Sequence, residues 1–298
     1  MASGDCWSDS RTLTGKLSAE ARGCCGSNRA VRSGCTVVLL VGTAEGFPMA
    51  TIVIVHGAGT GGWLWQRVRR LLQAAGHEMY TPTHTGVGER AHLAGQGIGL
   101  TTHIQDIAAV LAYEELSDVM LVGHSYGGMV ISGVAGEAPE RVAQLIYLDA
   151  FVPADGQAMF DFMPPAMRAA WEQQAQTIGD GWKVPPLAHQ TAGRVDADGL
   201  SEAEIQQLLR RRLPQSLKTY TEPVRITNPA MARLPRTFIY CTDKPAGDPF
   251  GHIAAGIRGS ANWRYHEMPT GHFPMLTMPH RLAGLLNVLA APVPAPAG

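Results

Sequence analysis

Neither sign of charge dominates this 298-residue sequence: 24 lysines and arginines stand against 25 aspartates and glutamates, a formal net charge of −1. That balance leaves no basic footprint for nucleic acid or an anionic membrane surface. No apolar run approaches the roughly 18 residues that a transmembrane helix needs. Cysteine is nearly absent beyond the N-terminus: Cys6, Cys24, Cys25 and Cys35 precede residue 36, and Cys241 alone lies deeper. A disulfide framework would spread its cysteines through the fold, so reduced thiols and a cytoplasmic location are expected. Cys24-Cys25 has no nearby histidines at metal-ligand spacing, and no metal site is expected. What is present is an apolar-leaning globular composition, 45% hydrophobic and 16% charged, in a chain long enough to bury a large core.

Residues 1–48 are rich in Ser, Gly, Arg and Cys and lack periodicity, and the apolar run Val37–Val41 is too short and too late for a signal peptide. They are expected to form a disordered or non-native tail. At Met49 the pattern changes abruptly to Thr51-Ile52-Val53-Ile54-Val55, a strand. From there strands are expected over 51–56, 77–82, 119–124, 143–149, 236–242 and 263–268. Helices are expected over 62–75, 101–115, 126–137, 248–259 and 279–290. The alternation predicts an α/β fold with a mostly parallel sheet and helices on both faces. Residues 49–150 and 235–291 would form this core, and 292–298 a Pro-rich C-terminal tail. Residues 151–234, punctuated by prolines, are expected to be a helical cap over the C-terminal strand edge, where open α/β sheets bind ligands. Met159, Phe160, Phe162, Met163, Met167, Trp171 and Trp182 suit both the cap's own core and an adaptable apolar pocket wall. Phe160, Met163, Trp182 and Phe273 are the candidate pocket residues.

Gly123-His124-Ser125-Tyr126-Gly127 is a G-x-S-x-G pentapeptide between the apolar run Val119–Val122 and a predicted helix. A serine at a strand-to-helix corner is the arrangement of a nucleophile elbow; the plainer alternative is a helix N-cap serine. A serine hydroxyl needs an imidazole to take its proton and a carboxylate to hold that imidazole. In this order of elements the imidazole belongs in a loop after the last strand. Thr270-Gly271-His272 follows the strand ending at Met268, whereas His266 lies inside that strand and His280 opens the last helix. The candidate base is therefore His272.

Three aspartates compete for the third role. Asp149 ends the strand after the elbow helix, where a buried carboxylate is costly unless paired. Asp243 and Asp248 lie in the loop after the penultimate strand, Asp243 almost on the strand and Asp248 at a helix N-cap position. Asp149 is preferred, with Asp248 or Asp243 as the fallback acid. An oxyanion hole takes one amide from the residue after the nucleophile, here Tyr126, and one from the loop after the first core strand, here Ala58. His56 is expected to orient that loop by hydrogen bonds. The same loop carries Gly57-x-Gly59-x-x-Gly62, a dinucleotide fingerprint in form only. Glu78 begins its strand instead of ending it and cannot reach a ribose, so no nicotinamide or flavin cofactor is expected.

The segments His56-Gly57-Ala58, Gly62-Trp63-x-Trp65, Gly123-His124-Ser125-Tyr126-Gly127-Gly128-Met129, Leu148-Asp149-Ala150-Phe151-Val152-Pro153 and Thr270-Gly271-His272 resemble the α/β-hydrolase superfamily. More narrowly they are similar to bacterial carboxylesterases related to plant methyl esterases and hydroxynitrile lyases, as is the loop Thr83–Arg90. The resemblance covers about residues 50–290. It implies a cofactor-free serine carboxylesterase acting through an acyl-enzyme on small-molecule esters of small or apolar acids; pyrethroid, phthalate and salicylate esters are substrates of such relatives. The lyases carry a lysine directly after the catalytic histidine, and Phe273 here argues against cyanohydrin cleavage. The plant esterases keep their acid in the loop after the penultimate strand. Haloalkane dehalogenases and zearalenone lactonases keep it at the strand end that Asp149 occupies, which favours Asp149. The competing readings are a C–C or C–N hydrolase or a lyase on the same scaffold, and a ligand receptor built on a hydrolase body. A homodimer is left open.

Overall fold

A computed structural model describes residues 49–186, 200–244 and 247–291. The expected tails 1–48 and 292–298 lie outside these residues. Six parallel strands form the central sheet: β1 Thr51–Val55, β2 Glu78–Tyr80, β3 Val119–His124, β4 Val142–Leu148, β7 Arg236–Cys241 and β8 Arg264–Met268, in the spatial order β2-β1-β3-β4-β7-β8. Val53 pairs with Leu121, Leu121 with Leu145, and Tyr147 with Phe238.

Period-2 alternation sends the side chains of each central strand to two cores. Val53, Val55, Leu121, Leu145 and Tyr147 enter one, under α2 (Leu100–Tyr113) and α3 (Gly127–Glu137). Ile52, Ile54, Met120, Val122, Ile146 and Leu148 enter the other, under α1 (Gln66–Ala74) and α9 (Pro279–Leu289). Burial on both faces explains why these strands are continuous apolar runs.

The elements sit within a few residues of their expected positions, and the departures have local causes. The expected helix 62–75 begins as a 3-10 turn, Gly62–Trp65, before α1. A Cβ at Gly62 would collide with the Thr81 carbonyl. β2 stops at Tyr80, two residues short, just before Pro82, which has no N–H to give a ladder. Gly88–Leu93 forms an unforeseen 3-10 segment.

Between β4 and β7 the chain runs through a 3-10 turn (Met159–Phe162) and α4 (Pro165–Ile178). There follow α5 (Glu202–Arg211) and the short helix α6 (Lys218–Thr221). A two-stranded antiparallel ribbon, β5 Lys183–Val184 with β6 Gln215–Ser216, ties the insertion's two halves together and was not foreseen. Ser201 caps α5 reciprocally with Glu204, as the spacing S-x-x-E allows. α7 (Pro249–Ile257) and a short helix, α8 (Pro274–Thr277), complete the chain order. No helix among the described residues is long and apolar enough to cross a membrane.

Candidate active site

β3 delivers Ser125 into the corner before α3 with φ at +56°. That left-handed conformation is unfavourable for a residue with a side chain, and its surroundings hold it there. Ser125 N–H donates to the Leu148 carbonyl at 3.3 Å, and Ser125 O accepts from Gly128 N–H at 3.1 Å and Phe151 N–H at 3.2 Å. The flanking glycines are steric necessities. A Cβ at Gly123 would stand 2.7 Å from the Gly127 carbonyl oxygen, and one at Gly127 would overlap the Val55 carbonyl.

His272 lies in the loop after β8, and its Nδ1 is 2.6 Å from Asp149 Oδ2. Asp149 follows β4 directly, also at positive φ (+45°), and is fully buried. Its Oδ1 accepts from Cys241 N–H at 3.2 Å. Lys244 Nζ reaches both Asp149 oxygens, at 2.7 and 2.8 Å, and Asp248 Oδ1 at 2.9 Å. Burial pushes the Asp149 carboxyl above the ordinary carboxylate range, and the Lys244 ammonium and these hydrogen bonds pull it back.

Of the three aspartates only Asp149 meets His272. Asp248 is the N-cap of α7, accepting from Phe250 N–H at 2.9 Å and Gly251 N–H at 3.1 Å. Asp243 is exposed and gives its amide to the Thr270 carbonyl at 3.0 Å. The His272 ring stacks on Phe250 at 4.9 Å. Its backbone carbonyl accepts from His124 Nε2 at 2.7 Å. Burial drops His124 well below the usual histidine range, so it is a neutral donor fixing the loop.

The β1–α1 loop passes in front of the elbow. Gly59, at φ +66°, gives its N–H to Gln215 Oε1 at 2.8 Å, and its carbonyl accepts from Leu213 N–H at 2.8 Å. Both partners come from the insertion, so the insertion grips this loop from two sides. Gln215 is itself fixed by donating to Thr219 Oγ1 at 2.8 Å. Ala58 and Tyr126 both line the cavity in front of Ser125. His56 Nδ1 donates to the Gly57 carbonyl at 2.8 Å, and its Nε2 accepts from His84 N–H at 3.1 Å, which orients the loop.

Behind that loop His84 lies between the rings of His56 (4.2 Å) and His103 (4.5 Å). His103 Nε2 donates to the Thr85 carbonyl and Nδ1 accepts from Tyr126 O–H, each at 3.0 Å. Burial lowers His56 and His103 to about 4 and His84 well below its ordinary value.

A cavity of about 370 Å³ joins these groups, with Ser125, His272, Ala58 and Tyr126 all in its lining. Met159, Phe162, Met163, Trp171, Tyr220, Phe250 and Phe273 form apolar walls. Of the four candidate pocket residues, Met163 and Phe273 line the cavity and Phe160 and Trp182 do not. In the 3-10 turn, residues three apart share a side. Met159 and Phe162 therefore face the cavity together, while Phe160 turns back to stack on Tyr220 at 6.2 Å. Trp182 faces a separate small cleft against Thr85–Val87 and Ala94–Ile98, its backbone bonded to Gly179 and Leu217 and its ring under the Lys183 ammonium. Tyr220, Phe250, Gln215 and Lys244 had no local sequence signal, because distant pairing alone brings them here. Among the described residues no cluster of three or more His, Cys, Asp or Glu could hold a metal ion.

The profile of the alpha/beta hydrolase family matches residues 52–285. A carbendazim hydrolyzing esterase from a Nocardioides species is 40% identical over 252 residues, 81% of this chain and 100% of that protein. A pyrethroid hydrolase from Sphingobium wenxiniae is 27% identical across 78% of this chain and 84% of its own length. Among solved structures, an extracellular alpha/beta-hydrolase from a Paenibacillus species, described as sharing structural and functional homology with tobacco salicylic acid binding protein 2, superposes with a TM-score of 0.71. It is 25% identical and covers 82% of this chain and 99% of its own.

Proposed function

This chain belongs to the alpha/beta hydrolase family and is a carboxylic ester hydrolase, and on that premise we propose that it works as a serine esterase on small-molecule esters of small or apolar acids. Ser125 Oγ adds to the ester carbonyl carbon while its proton passes to His272 Nε2. Asp149 accepts the Nδ1–H, which fixes the tautomer with Nε2 free to act as base and stabilises the imidazolium that forms. The amides of Ala58 and Tyr126 receive the developing oxyanion, aided by the positive end of the α3 dipole. The tetrahedral intermediate collapses, the alkoxide leaves with the Nε2 proton as an alcohol, and Ser125 keeps the acyl group. Water, deprotonated by His272, repeats the sequence and releases the acid.

The observation that carries this reading is the buried 2.6 Å contact between His272 and Asp149, on the same cavity as a serine held at positive φ. The walls support apolar substrates. They offer rings and thioethers, which gain by burying apolar surface at roughly 25 cal/mol per Å². Phe273, ring to ring with His272 at 5.2 Å, puts no ammonium beside the base, which favours hydrolysis over cyanohydrin cleavage. A cytoplasmic location remains part of the proposal and rests on where the cysteines fall in the sequence. The test is Ser125→Ala. p-Nitrophenyl acetate turnover should fall at least about 10³-fold with the melting temperature unchanged. Turnover within tenfold of wild type would remove the serine mechanism.

A further inference from the structure

Lys244 is a buried cation that the ester chemistry above does not use. Its side chain is 3% exposed, its Nζ contacts Asp149 and Asp248, and the ring faces of Tyr240 (4.6 Å) and Phe250 (4.9 Å) close its other sides. An ammonium has three protons, and this one spends them on two carboxylates. One cation therefore serves two buried anions, leaving an excess of one negative charge. His272 Nδ1 faces that excess through Asp149. When His272 takes the serine proton, the set becomes neutral: two carboxylates, one ammonium, one imidazolium.

We propose that Lys244 and Asp248 are a positioning pair that sets the base strength of His272 through Asp149. Lys244 keeps Asp149 ionised in a site where burial favours the neutral acid. Asp248 draws part of the Lys244 charge away, so that Asp149 keeps enough negative potential to stabilise the imidazolium. The other groups facing Asp149 and Asp248 do not carry compensating charge. His124 from β3 is neutral by burial, Tyr240 O–H donates to Asp248 Oδ2 at 2.9 Å, and Cys241 contributes its amide. Asp243, next to Lys244 in the chain, is exposed.

This inference rests on the serine-esterase reading, and its test separates the two. The readout is the acid limb of kcat/KM against pH. Asp248→Asn keeps the size and loses the charge: its one oxygen, in the Oδ2 place, still accepts from Gly251 N–H and Tyr240 O–H, while its amide nitrogen replaces the oxygen that accepted from Phe250 N–H and Lys244. Lys244 then acts wholly on Asp149, the imidazolium is less stabilised, and the acid limb moves down by about half to one pH unit. Lys244→Met removes the cation that competes for Asp149, so the coupled Asp149–His272 pair holds its shared proton more tightly and the limb moves up by a similar amount. A merely structural pair would scale kcat at every pH and leave the limb in place. An acid limb within about 0.2 units of wild type in Asp248→Asn, or limbs shifted the same way in both variants, overturns the proposal. If Lys244→Met fails to fold, Asp248→Asn decides alone. Failure of the parent reading looks different: activity survives Ser125→Ala, or wild type has no acid limb.

Discussion

Asp149 shows how much one residue's surroundings decide. Three aspartates compete in the sequence, and only one lies within 2.6 Å of His272. Removing the carboxylate that orients a catalytic histidine costs about 10⁴-fold in the best-studied serine hydrolase. Asp149→Asn should therefore lose at least about a hundredfold in kcat with KM nearly unchanged, and Asp243→Asn should stay within about tenfold. A dead Asp243→Asn beside an active Asp149→Asn would move the acid to the later loop. Ser125 and His272 stand out in the sequence because each sits in a short local pattern, glycines around a corner and a glycine before a loop histidine. The acid has no such pattern. Any carboxylate that reaches Nδ1 would serve, and its reach depends on the β3–β4–β7 register, which no window of sequence shows.

At the scale of elements, the alternating strands and helices were legible because buried parallel strands must be apolar along their whole length. The insertion was less so. Its 3-10 turn and its two-residue ribbon are too short to leave a periodicity, and the ribbon pairs residues about 30 positions apart. That ribbon places Gln215 against Gly59. Gln215→Leu keeps similar bulk and removes the acceptor, leaving the Gly59 amide buried and unpaired. Loss of such a bond costs on the order of 1–3 kcal/mol, and here it loosens the loop that presents Ala58. The expected result is a fall in kcat of about tenfold or more, with weaker binding of a boronic acid that mimics the tetrahedral intermediate but unchanged binding of a product acid. Equal loss of both affinities would show that Gln215 serves the pocket and not the oxyanion loop.

Across the described molecule, four of the six buried histidines set a limit on acid tolerance. His56, His84, His103 and His124 all have their proton affinity lowered by burial, two of them to about 4. The unfolded chain takes up protons near pH 6.5 that the native state refuses. The stability is full above that pH and drains as pH falls toward 4, by up to about 1.4 kcal/mol per pH unit for each histidine. The raised carboxyl of Asp149 has the opposite sign and offsets one of the four, but only in the carboxylate range. Urea midpoints measured from pH 8 to pH 4.5 should hold level to about 7 and then drop steeply; a level midpoint down to pH 5 would show that these rings are protonated in the native state.

The double grip on Gly59 also decides how molecules travel. The stretch from Leu213 to Gln215 is fastened to the β1–α1 loop through both the N–H and the carbonyl of Gly59, so it cannot swing aside without taking that loop with it. Met167, Gly247 and His252 line the same cavity and stand exposed to solvent. Bulk added at Met167 will slow arrivals and departures, while the chemistry behind it stays as fast as before.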